Sequence, residues 1–215
     1  MTEIEILAQK AIQNIEKEQI NVAKVWLSSI YEQVSKDPSC LCSVGDYGIV
    51  GKGFLFMILN RLSDDIDTLQ AMSSIAYLCL SRAVEIEGDN PNLYKDRLLV
   101  LNSAYNSFKY TVMSVLAEEE ATDGFASLMF QSRADIESRD AIWQMEIADM
   151  ERYPIICSSF PYFAERKNFM MDKIKRQFFL PARSLDEVVK RGKFLHERTY
   201  KYLVNKVLVN SDIDF

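Results

Sequence analysis

Between Ser63 and Ala117 apolar positions recur at alternating steps of three and four. Ile66, Leu69, Ser73, Ala76, Leu80 and Ala83 fall on one stripe of a first helix. Tyr94, Leu98, Leu101, Tyr105, Phe108, Val112 and Val115 fall on one stripe of a second, because that period returns side chains to the same face. The first stripe is rich in small residues and the second is bulky and aromatic, so the two are expected to interlock as a hairpin. Glu87-Gly88-Asp89-Asn90-Pro91 is the expected turn. Gly88 suits a left-handed helix end, Asn90 a cap, and Pro91 the first position of the next helix.

The same reading runs through the rest of the chain. Thr2 and Glu5 have capping-box spacing, and Ile4, Leu7, Ala8, Ala11, Ile12 and Ile15 follow on one face, predicting a helix over 3–18. Asn21 is the expected cap of a second helix, with Val22, Val25, Trp26, Ile30 and Val34 inward and a stop at Asp37-Pro38. Residues 37–53 carry Pro38 and the glycines 45, 48, 51 and 53, which predicts a loop before a short helix over 54–62. Glu118-Glu119-Glu120 marks a break, since acidic residues suit a helix start better than its end. A long helix to Arg152 follows, with Phe125, Leu128, Met129, Ile136, Trp143, Ile147 and Met150 as its apolar series. Residues 153–163, interrupted by Pro154 and Pro161, read as irregular. Helix is expected over 164–179, and Ser184–Glu187 is a second capping box for a helix to 208. No segment alternates like a strand. The fold class is all-α: antiparallel helical hairpins stacked as a degenerate helical repeat or an irregular bundle. The organisation expected is an acidic body over 1–152, a proline-containing connection over 153–163, and basic helices with an acidic tail over 164–215.

Ala76, Leu80 and Ala83, followed by a turn and then Tyr94 and Leu98, resemble tetratricopeptide repeats over residues 20–101 at most. Pro38 stands where that family ends a repeat. Trp26 and Gln33 stand where it has small residues, Gly88 where it has proline, and Asp64 and Asp67 where it has small or aromatic ones. The family's fixed period does not persist. The resemblance implies a protein- or peptide-binding scaffold rather than a catalyst.

Composition narrows the function. Only 7 Gly and 5 Pro occur in 215 residues, which suits long helices. No apolar run approaches the roughly 20 residues of a membrane span. The N-terminus carries Glu3 and Glu5 instead of a signal-like basic start. Cys40, Cys42, Cys79 and Cys157 form no recognisable disulfide framework, so a cytoplasmic setting is expected. His196 is the only histidine, which leaves too few ligands for zinc or di-iron chemistry. It is read as a helix-surface or interface side chain, in preference to a partner for a Cys157 nucleophile. Gly45–Gly53 lacks phosphate-loop spacing, and Cys40-x-Cys42 lacks the redox-pair spacing. Asp135, Glu137, Asp140, Glu146, Asp149 and Glu151, interleaved with Arg133, Arg139 and Arg152, read as a solvated face. No catalytic residue, cofactor or metal is expected.

Charge supplies the remaining clue. Residues 165–206 hold 12 Lys and Arg against 5 Asp and Glu, whereas 1–164 hold 13 against 24. The partner-facing residues read from this basic third are Arg166, Lys167, Lys173, Lys175, Arg176, Arg183, Lys190, Arg191, Lys193, Arg198 and Lys201. The apolar anchors Ile213 and Phe215 of the tail join them. Phe169, Phe178, Phe179, Phe194, Tyr200 and Tyr202 are mixed among the cations. The expected function is a non-enzymatic interaction or assembly component, a ring- or adaptor-like subunit of a cellular or viral particle being one form. Its partner would be a protein, a second copy included. The alternative is a nucleic-acid-associated protein, since cations neutralise phosphates and aromatic rings stack on bases.

Overall fold

The computed structural model describes residues 1–120, 124–175 and 184–208, with side chains over 1–118, 133–175 and 184–208. Among these the chain is all-α and contains no strand. The helices are α1 (Glu3–Glu16), α2 (Ile20–Lys36), a 3-10 helix (Pro38–Ser43), α3 (Tyr47–Leu59), α4 (Ile66–Ile86), α5 (Pro91–Ser103) and α6 (Tyr105–Glu120). They continue with α7 (Gly124–Arg152), α8 (Ile155–Ser159), α9 (Pro161–Lys175) and α10 (Leu185–Leu208). Contacts group the chain into two compact units, residues 1–107 with the chain from Tyr200 on, and residues 108–199.

In the first unit the capping box forms at Thr2 and Glu5. The Glu5 carboxylate also accepts the backbone N–H groups of Gly45 (2.9 Å) and Asp46 (2.6 Å), tying the start of α1 to the approach to α3. Burial pushes this carboxyl upward, but the bonds from Thr2, Asp46 and Gly45 outweigh it and the net displacement is downward. The register of α2 differs from expectation. Ala23, Leu27, Ile30 and Val34 are buried, whereas Val22 and Val25 face solvent, and Asn21 lies inside a helix that Gln19 precedes without a side-chain cap.

The stretch expected as a loop is largely helix. Asp46 caps α3 through the Ile49 N–H at 2.9 Å, and Gly48, Gly51 and Gly53 lie within that helix. Their role is close approach. A Cβ at Gly51 would stand 2.7 Å from Leu80 Cγ, one at Gly48 2.9 Å from Leu93 Cδ2, and one at Gly53 3.4 Å from Ala8 Cβ. Glycine costs a helix about 1 kcal/mol per position. Burying Val50, Phe54, Leu55 and Met57 recovers roughly 1.5–3 kcal/mol for each large side chain. α4 accordingly packs more on α3 than on α5, with Ala83 beside Gly48. The bulky stripe is also interrupted. α5 ends at Ser103, Ala104 forms its cap, and α6 starts at Tyr105, so the expected second helix is two.

Asn90 caps α5 through the Asn92 N–H (3.1 Å) and Pro91 opens it, as the sequence suggests. Gly88 is not left-handed. Among the described residues the positive-φ ones are Glu18 (59°) and Arg61 (48°). Each stands one residue past a cap, where paired bonds close the helix: Arg61 N to Ile58 O and Leu62 N to Met57 O, both 3.1 Å, and Glu18 N to Ile15 O and Gln19 N to Asn14 O.

In the second unit, positions 140–150 of α7 are buried without exception. Residues 153–163, expected to be irregular, form α8 and the start of α9, because each proline sits at a helix beginning where its missing N–H is harmless. The second capping box is present: Ser184 N to Glu187 Oε2 is 2.7 Å and Glu187 N to Ser184 Oγ is 3.2 Å.

Candidate functional site: a buried charged helix between two basic faces

A helix buried on every side is ordinarily apolar. α7 instead carries Asp140, Gln144, Glu146 and Asp149 inward. Three of the acidic residues expected on a solvated face are therefore interior, and only the outer part of the series behaves as expected, with Arg133 on Glu137 (3.2 Å) and Lys109 on Asp135 (3.1 Å).

Asp140 pairs with Arg139 of α7 itself at 3.4 Å, and the buried carboxylates Glu146 and Asp149 are matched from α9 and α10. Arg166 of α9 grips Glu146 with two prongs, Nε to Oε2 and Nη2 to Oε1, each 2.7 Å. Burial pushes the Glu146 carboxyl above its ordinary value against the pull of Arg166, and Asp149 adds to the rise. Lys167 pairs with Glu151. From α10, His196 Nε2 lies 3.0 Å from Met145 O and 3.2 Å from Asp149 Oδ1. Both partners are acceptors, so that nitrogen carries a proton. His196 is thus a core residue, not the helix-surface or interface side chain expected. Cys157 lies instead beside Lys167 and Glu151, and burial pushes its thiol up.

Gly192 makes this arrangement possible. A Cβ there would stand 2.1 Å from Gln144 O, 2.7 Å from its carbonyl carbon and 2.8 Å from Ala148 Cβ. α10 therefore meets α7 backbone to backbone. Trp143 and Glu146, which face α9, lie about 140–160° around α7 from Ala148, which faces α10. α9 and α10 consequently flank α7 on opposite sides, and the basic residues of the sequence are divided between two outward faces.

On the α9 face, Lys173 and Lys175 are exposed and Phe169 is 53% exposed. The Phe169 ring meets Trp143 edge-on at 5.9 Å, with Lys173 Nζ 5.4 Å from its centroid. Arg139 stacks over Trp143 at 4.7 Å. On the α10 face, Lys190 and Lys193 are exposed, and Phe194 is 41% exposed between Arg191 (5.0 Å) and Arg198 (6.0 Å). Lys201 is exposed on the part of α10 that belongs to the first unit. Arg166 and Lys167 are engaged with Glu146 and Glu151. Arg176, Arg183, Ile213 and Phe215 lie outside the described residues.

Two features escaped the sequence. Gly192 is the lone glycine of a long amphipathic helix, and that isolation is the signal of a close crossing. The interior placement of Glu146 and Asp149 had no signal of its own. Among the described residues no cluster of three or more His, Cys, Asp or Glu could hold a metal ion. Burial raises the Cys79 thiol and pushes that of Cys40 up to about 11, with Asp37 adding to the latter. No described helix is long and apolar enough to cross a membrane.

No family model matches the chain, and no curated protein or solved structure matches it significantly.

Proposed function

We propose that this chain is a non-enzymatic interaction and assembly component, and that the outward faces of α9 and α10 dock on an acidic protein surface, that of a second copy included. The observation that carries this reading is Phe194, a large ring 41% exposed among Lys190, Arg191, Lys193 and Arg198. An exposed aromatic ringed by cations offers both an apolar anchor and charge, the combination that interface centres favour. Phe169 with Lys173 and Lys175 repeats it on α9. The resemblance of 76–98 to tetratricopeptide repeats suits the same scaffold role.

The test uses fluorescent poly-glutamate and a single-stranded DNA oligomer as probes. We expect poly-glutamate to bind the wild type, to be weakened about tenfold or more in a Lys190→Glu, Lys193→Glu double variant, and to outcompete the DNA. Tighter DNA binding with a steep loss on added salt would transfer the surface to nucleic acid. Binding of neither probe would overturn the docking role.

A further inference from the structure

A cavity of about 300 Å³ opens in the first unit, where the end of α3 and the start of α4 face the α5–α6 junction. Its lining has three kinds of wall. Ile58, Ile66 and Leu69 are apolar. Ser63, Ser103, Asn106 and Ser107 present hydroxyls and an amide. Arg61 and Asp64 bring opposite charges. Among the described residues, neither of these two makes an ion pair or a side-chain hydrogen bond, with the other or with a third group. Three residues apart at one cavity, they remain two separate charges of opposite sign.

We propose that this cavity binds a small zwitterion of the amino-acid type, its carboxylate toward Arg61, its ammonium toward Asp64, and its apolar side chain against Ile58, Ile66 and Leu69. A simple anion would meet Asp64 and a simple cation would meet Arg61, so either alone is opposed by one wall. A ligand carrying both charges satisfies both. The volume lies at the small end of ligand sites, and polar groups set beside apolar ones can fix a ligand's orientation. The hydroxyls of Ser63 and Ser103 and the Asn106 amide can donate to the carboxylate or accept from the ammonium, whereas the Ser107 hydroxyl already donates to Ala104 O at 3.0 Å. This inference is independent of the docking faces of α9 and α10.

Arg61 makes the test clean. It holds φ at 48°, a left-handed position that glycine occupies without strain. Arg61→Gly therefore removes the guanidinium while keeping, and improving, the helix end. The experiment is thermal unfolding of the full chain titrated with L-leucine, compared with sodium acetate and with isobutylammonium chloride. We expect leucine to raise the melting temperature of the wild type saturably and the two single-charge compounds to leave it unchanged. Arg61→Gly should melt no lower than the wild type without ligand, yet need about tenfold more leucine or more for the same rise, and Asp64→Asn likewise. No leucine response, an equal response in both variants, or the same rise with acetate alone would overturn the proposal.

Discussion

Gly192→Ala is the sharpest perturbation the structure offers, because two physical effects give it opposite signs. Replacing glycine by alanine inside a helix gains about 1 kcal/mol of helix propensity. Here the added methyl would lie 2.1 Å from Gln144 O and 2.7 Å from the carbonyl carbon behind it. Both are backbone atoms of a helix buried on all sides, so no side chain can swing away. Relieving the contact to an ordinary separation moves α10 outward by more than about 1 Å. That shift would carry His196 Nε2 from 3.0 Å to beyond hydrogen-bond reach of Met145 O. Overpacking costs typically about 1–3 kcal/mol and more where backbone must move, and the lost bond about 1 kcal/mol more. After subtracting the propensity gain we expect a net loss of about 1–3 kcal/mol, toward the upper end because backbone must move. Urea denaturation followed by circular dichroism measures it. Gly88→Ala is the control: its nearest neighbour would be Val84 O at 3.8 Å, so it should gain about 0.4–1 kcal/mol. If both substitutions stabilise alike, α7 and α10 do not cross at Gly192.

Three further outcomes follow. Glu18→Gly and Arg61→Gly should each raise stability by about 0.5–1 kcal/mol, since both relieve a left-handed non-glycine residue; calorimetry reads the shift. Arg166→Ala should cost about 3 kcal/mol in urea, because it leaves Glu146, fully buried, without its two-pronged partner. Glu5 sets a pH dependence: its folded carboxyl lies below the ordinary 4.5, so its contribution is complete above that value and is lost as pH falls through the folded one. The stability difference between wild type and Glu5→Gln should therefore be largest above about pH 5 and shrink in more acid solution.

What the sequence revealed was local chemistry. The boxes at Thr2–Glu5 and Ser184–Glu187 and the cap at Asn90 depend on residues within one turn, and each formed as the spacing required. What it concealed depends on a partner distant in the chain. Gly48, Gly51 and Gly53 look like helix breakers until Leu80, Leu93 and Ala8 are set against them. Val22 and Ala23 both suit a helix interior, and only tertiary packing selects the register that buries Ala23. Gly88 was the natural candidate for a left-handed end, but two charged residues, Glu18 and Arg61, take that conformation because a helix must close wherever its neighbours require it. The acidic series on α7 shows the same limit. Glu146 and Glu137 are alike in sequence, yet one is gripped by Arg166 in the core and the other pairs with Arg133 at the surface. The basic third was legible as charge but not as geometry, since a crossing at Gly192 divides it between opposite sides of α7.

The most direct measurement is the native mass by light scattering, from low to high salt, for wild type and the Lys190→Glu, Lys193→Glu variant. Charge-guided assembly predicts a defined oligomer that dissociates as salt rises and is already weakened in the variant. A monomer at every salt, or an oligomer indifferent to both salt and charge reversal, would contradict it.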